Sequence, residues 1–155
     1  EINQANGFTA EAAGWHMTEF QISGLIATLL VTAIQRERQD QRLATAATGT
    51  LWFAGTLGLL LAPGATVVWV AVMGAASGAS FYLSLAFIGT RTRNPRRASE
   101  LSGMTQSIGY IIAAFGPLIA GALSSLGWDA VLYLGLSVSA ALVILGFIAG
   151  APRKI

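Results

Sequence analysis

Five stretches of this 155-residue chain contain no Lys, Arg or Asp. Each has the roughly 20 apolar residues that a helix needs to cross a hydrocarbon layer about 30 Å thick. They run from about 15 to 34, 43 to 62, 66 to 89, 101 to 123 and 130 to 150. Charged residues make up 10% of the chain and hydrophobic residues 54%, whereas a soluble domain carries about 25% charge to solvate its surface. That difference argues against a soluble globular enzyme, and high hydrophobicity with low charge is the reverse of a disordered chain. The stretches are continuously apolar rather than alternating, so barrel strands fit poorly. The expectation is an all-α integral membrane protein with five transmembrane helices in a single membrane domain spanning 1–155.

Short connections separate the stretches. Ala62-Pro63-Gly64-Ala65 predicts a stop followed by Thr66 as an N-cap, and Ser99 with Glu100 and then Asp129 predict the starts of the last two helices. The nine basic residues form three clusters: Arg36, Arg38 and Arg42; Arg91, Arg93, Arg96 and Arg97; Arg153 and Lys154. With five spans, all three fall on one side. The positive-inside rule makes that side cytoplasmic, with the N-terminus outside, the C-terminus inside and a cell-membrane location. Orientation alone accounts for such clusters, and gating or lipid binding is the alternative for Arg91, Arg93, Arg96 and Arg97. The same placement removes any need for a nucleic-acid partner. The chain lacks an initiator Met, and its polar start lacks the features of a signal peptide. The expectation is therefore a fragment that follows at least one earlier span.

Helix packing in lipid relies on small residues that let backbones approach. Gly74 and Gly78 form one such pair, Gly109, Ala113, Gly116 and Ala120 a seam in the fourth stretch, and Gly135, Ser139, Gly146 and Gly150 another in the fifth. Pro117 lacks the N–H that would bond to Ala113, so the helix should bend near Gly116 and Pro117, either statically or as a hinge. Polar residues within spans must face a partner helix or a water-filled cavity. Gln106 and Tyr110 are four apart and share a face, and Ser77, Ser80 and Tyr82 lie in the third stretch. Glu19 is the one carboxylate inside a proposed span. It reads either as an interfacial group or as a proton- or cation-binding one. His16, beside Trp15, reads as part of an aromatic belt or as a proton-linked group.

Catalytic and cofactor patterns are missing from the sequence. One His and no Cys cannot supply a zinc site or a Ser/His/Asp arrangement together with the single embedded acid. No GxxxxGK[ST] loop occurs, so direct ATP drive is not expected. The chain is read as a non-enzyme without a metal or cofactor.

The string Leu101-Ser102-Gly103-Met104, with Gln106-Ser107, Gly109-Tyr110, Gly116-Pro117 and Gly121, and then Gly127-Trp128, resembles major facilitator transporters of the cyanate and nitroimidazole transporter family. A weaker match covers most of the chain. The resemblance implies helices eight to twelve of a twelve-helix fold, most of its C-terminal half, with the N-terminal half as a missing partner. It also implies alternating-access transport of cyanate, nitroimidazoles or related small anions and heterocycles. Gln106, Tyr110, Ser77, Ser80 and Tyr82 would then line the substrate cavity. A non-transport membrane subunit that packs through its small-residue faces is the alternative.

Overall fold

The computed structural model describes residues 9–35, 40–92 and 94–151. Among them are five long helices: α1 (Ala10–Gln35), α2 (Arg42–Leu61), α3 (Thr66–Arg91), α4 (Pro95–Ser124) and α5 (Trp128–Ala149). All five are long and apolar enough to cross a membrane. A short 3-10 turn, Pro63–Ala65, joins α2 to α3. Arg36, Arg38, Arg93, Arg153 and Lys154 lie outside the described residues.

The helix starts differ from the sequence expectation in three places. Thr66 does not cap α3: Ala65 holds that position, and the Thr66 hydroxyl donates to the Pro63 carbonyl at 2.6 Å. Ser99 and Glu100 lie inside α4, whose cap is Asn94, with its side chain accepting from Arg96 N–H at 2.9 Å. Pro95 follows at the first helical position, where its fixed φ is already helical and its missing N–H costs nothing. The charged turn 95–100 thus carries the helix beyond the apolar stretch. Asp129 lies in the first turn of α5, where a carboxylate suits the positive end of the helix. The cap there is Gly127, at φ 109°, a conformation in which a Cβ is disfavoured.

Glycines set the helix contacts. A Cβ on Gly78 would collide with the Gly24 carbonyl, and one on Gly74 with the Phe20 carbonyl. The partners of Gly74 and Gly78 rise together along both helices, so α1 and α3 run parallel and nearly backbone to backbone. Thr28 Oγ1 lies 2.8 Å from the Gly24 carbonyl and 3.1 Å from the Gly78 carbonyl, so its one proton is shared across the joint.

Between α2 and α5 the order reverses and the helices run antiparallel. A Cβ on Gly49 would meet Val143 at 2.9 Å, one on Gly135 would meet Thr56 at 3.1 Å, and one on Gly150 would meet the Arg42 backbone at 2.8 Å. Thr45 Oγ1 reaches the Gly146 carbonyl at 2.7 Å, and Gln41 N–H donates to the Gly150 carbonyl at 3.1 Å. Between α2 and α3, the Trp69 ring covers Gly58, and its indole N–H takes the Ala62 carbonyl at 3.0 Å.

The expected seam on α4 behaves differently. Nothing lies within 4 Å of a Cβ built on Gly103, Gly109, Gly116 or Gly121, and α4 has no buried residue. The bundle is therefore a connected series α1–α3–α2–α5, with α4 lying against it and exposed along its middle.

Adding a methyl at the closest joint should loosen it. Gly78→Ala should lower stability by about 1–3 kcal/mol, the usual cost of overpacking, and Thr28→Val by about 0.6 kcal/mol for an interhelical hydrogen bond. Gly64→Ala, with nothing within 4 Å of the added carbon, should change little. Thermal unfolding of the three variants in detergent checks this order.

Candidate functional site

Three groups of polar side chains occupy different parts of the bundle. On α4, Gln106 and Tyr110 are exposed, Tyr110 at 73%. The Gln106 amide donates to Ser102 Oγ at 3.2 Å, one turn earlier. Ser102, Gln106 and Tyr110 therefore form a polar line along one face of an otherwise apolar helix, with groups that can both donate and accept.

The second group lies on α3. Ser77, Ser80 and Tyr82 are half-buried. Ser80 is held between helices: its hydroxyl accepts from the Trp52 indole N–H at 3.2 Å and donates to the Ala76 carbonyl at 2.8 Å. Trp52, Ser80, Ser84 and Thr48 border a small cavity of about 160 Å³ between α2, α3 and α5. Trp52 lies in an apolar run, and a tryptophan facing a serine across a helix pair leaves no mark in either segment alone.

The third group gathers at the end of the bundle that carries the 62–66 and 125–127 turns. His16 is buried, although its neighbour Trp15 is 67% exposed. Trp15 therefore suits an interfacial belt, whereas the imidazole faces inward. His16 Nδ1 lies 3.3 Å from Glu19 Oε2, and Glu19 is half-buried. His16 lines a cavity of about 640 Å³ together with Phe20, Met73, Pro117, Gly121 and Trp128. The fold thus brings His16 and Pro117 to one cavity, although they belong to the first and fourth apolar stretches; only the shared end of the bundle relates them.

At the opposite end, Arg96 and Arg97 are exposed. Arg96 Nε meets Glu100 at 3.2 Å in a solvent-facing pair, a type worth little to stability. Arg91 is the last residue of α3, and the Arg42 guanidinium lies 5.7 Å from the Phe147 ring centre, within cation–π range. Pro117 lies inside an α4 that continues to Ser124, and no neighbour stands within 4 Å of a Cβ on Gly116. Among the described residues, no three His, Cys, Asp or Glu side chains come together as a metal-holding group.

Comparison with known proteins agrees with five apolar helices carrying sparse polar groups. The model of the Major Facilitator Superfamily matches residues 1–154. The chain is 33% identical over 150 residues to the uncharacterized transporter YycB of Bacillus subtilis (strain 168), covering 94% of this chain and 37% of that protein. It is 42% identical over 110 residues to a putative anionic 4-hydroxy-benzoate permease of Thauera aromatica, covering 70% of this chain and 67% of that one. A 2-nitroimidazole transporter of Escherichia coli (strain K12) is 31% identical over 153 residues, covering 97% of this chain and 39% of that protein. No solved structure matches. The chain spans about two fifths of the YycB and 2-nitroimidazole transporter sequences. With the family model covering nearly every residue, this multi-pass membrane chain belongs to the Major Facilitator Superfamily.

Proposed function

We propose that the chain forms part of a secondary active transporter that moves a small solute by alternating access, contributing helices eight to twelve of twelve. The observation that carries this reading is the polar line Ser102, Gln106 and Tyr110 on α4, exposed at Gln106 and Tyr110. A polar line on a spanning helix is costly in lipid, so it belongs against a partner or a water-filled path. An N-terminal half of the same transporter supplies the facing wall. The substrate is a cyanate-like, nitroimidazole-like or related small anion or heterocycle, a class supported by relatives named for 2-nitroimidazole and 4-hydroxybenzoate. Gln106 and Tyr110 bind substrate from α4, and Ser77, Ser80 and Tyr82 contribute from α3. His16 and Glu19 are the proton-linked pair, Gly116 and Pro117 form the hinge, and the arginine end faces the cytoplasm.

In the full transporter, Gln106→Leu and Tyr110→Phe should each reduce transport about tenfold or more, the scale of a lost polar contact in a desolvated site, with membrane insertion unchanged. Uptake into proteoliposomes, normalised to inserted protein, measures it. Normal kinetics in both variants would leave these residues as packing groups.

Orientation has its own measurement. Cysteines introduced at Gly64 and Gly127 should react with an impermeant maleimide from outside the cell and not from the cytoplasm. Labelling from the cytoplasm would invert the assignment.

Pro117→Ala restores an amide donor toward the Ala113 carbonyl and removes a ring that costs about 3 kcal/mol in an ordinary helix interior. If α4 flexes at this point, the variant should retain substrate binding and turn over more slowly, because one access state has been favoured. Binding and turnover measured on the same preparation separate this outcome from a static bend, which would leave turnover per folded protein unchanged.

A further inference from the structure

The small cavity bordered by Trp52 and Ser80 lies away from the polar line on α4. Its walls follow α2 from Thr45 to Trp52 and α3 from Ser80 to Phe87. That is seven residues along each helix, so the space is about 10 Å long at 1.5 Å per residue. A volume of about 160 Å³ over that length is a narrow slot, the form of an extended chain rather than of a ring. Trp52 lies ten residues after Arg42, and Ser80 eleven before Arg91. With those arginines at the boundary, the Trp52–Ser80 level is about 15 Å deep, the middle of a hydrocarbon layer about 30 Å thick. The slot therefore runs from near the arginine side to the midplane, the depth range of the acyl chains of one leaflet.

Its chemistry is apolar even though four hydroxyl residues border it. Each hydroxyl donates to a backbone carbonyl: Thr45 to Gly146 at 2.7 Å, Thr48 to Ala44 at 2.8 Å, Ser80 to Ala76 at 2.8 Å and Ser84 to Phe81 at 2.7 Å. The Trp52 N–H is engaged by Ser80. No side-chain donor is left to hold a solute, and among the described residues that border the slot none is charged. An apolar cavity of about 150 Å³ stays dry and takes up apolar guests of benzene size, so water is a poor occupant. Ser84 is exposed and Leu142 is 46% exposed, so among the described residues the slot opens sideways between α3 and α5. We propose that it holds one acyl chain of a membrane lipid, the chain end beside Trp52 and the rest running toward Thr45 and the arginine side. The proposal rests on helices that span hydrocarbon and not on what the protein moves.

The test is tryptophan fluorescence of the full protein in phosphatidylcholine nanodiscs, with bromine on the acyl chain either near its end or near the head group. The difference between wild type and Trp52→Phe isolates the Trp52 emission. Chain-end bromine should remove most of that emission. Head-near bromine should leave it, because a bromine at the level of Thr45 is about 10 Å away along the helix. Ser84→Phe and Leu142→Phe fill the opening from α3 and from α5, and either variant that keeps wild-type thermal stability should recover most of the lost emission. The two bromine positions and acrylamide decide the matter on Trp52 even where neither filler folds. Equal quenching by both bromine positions, quenching by water-soluble acrylamide, no quenching because another part of the protein covers the slot, or a folded filler that recovers nothing would each overturn the proposal.

Discussion

The near contact of the α1 and α3 backbones at Gly24, Gly74 and Gly78 is the joint on which the bundle depends. Lipid supplies no hydrophobic drive for helices to associate, so contact surface and interhelical hydrogen bonds must hold them together. Glycine supplies the closeness, and closeness places the Gly78 carbonyl within reach of Thr28. The hydroxyl adds a polar tie without leaving an unsatisfied group in hydrocarbon, where each such group costs several kcal/mol. The α2–α5 joint repeats the device with Thr45 and Gly146. Opening either joint by the width of a methyl group weakens packing and hydrogen bond together.

With those two joints fixed, α2 and α3 connect them through Trp69 over Gly58 and through the Trp52–Ser80 hydrogen bond. Four helices are thus tied by backbone contact or by named hydrogen bonds. For α4, whose middle is exposed and whose glycines meet nothing, the contribution to the bundle is chiefly the wall of the cavity near Pro117 and Gly121. A helix held at its ends and bare along its middle can shift with less disruption of interlocked packing than α1 or α3 could.

Much of this was legible in the sequence, because membrane thickness and backbone polarity leave few solutions. Five apolar stretches give five helices, and Gly74 and Gly78 lie at a close joint. The helix starts were less legible. Asn94-Pro95 was a cap signal hidden behind charged residues, and Gly127 caps through its backbone conformation rather than through a side chain. The polar groups were visible, but their partners were not. Nothing near Ser80 announces Trp52, and nothing near His16 announces Pro117, because those pairings depend on which faces the crossings turn toward each other. The equal look of the small-residue seams was misleading too: the fifth stretch packs against α2, while the fourth has no neighbour at its glycines among the described residues.

The same distinction separates structural polar residues from functional candidates. Thr28, Thr45 and Ser80 each bond to a backbone carbonyl one turn earlier in their own helix and also reach a second helix. A small hydroxyl can do both, so its presence in a span needs no ligand to explain it. Gln106 and Tyr110 are larger. The Gln106 bond runs to Ser102 on its own helix, and the rest of its amide and the Tyr110 phenol stand on an exposed face. In water such a face is unremarkable, but on a helix built to span hydrocarbon it is stable only if another polar surface or water meets it. Gln106 and Tyr110 are therefore the side chains that the described helices leave for another polar surface or for water.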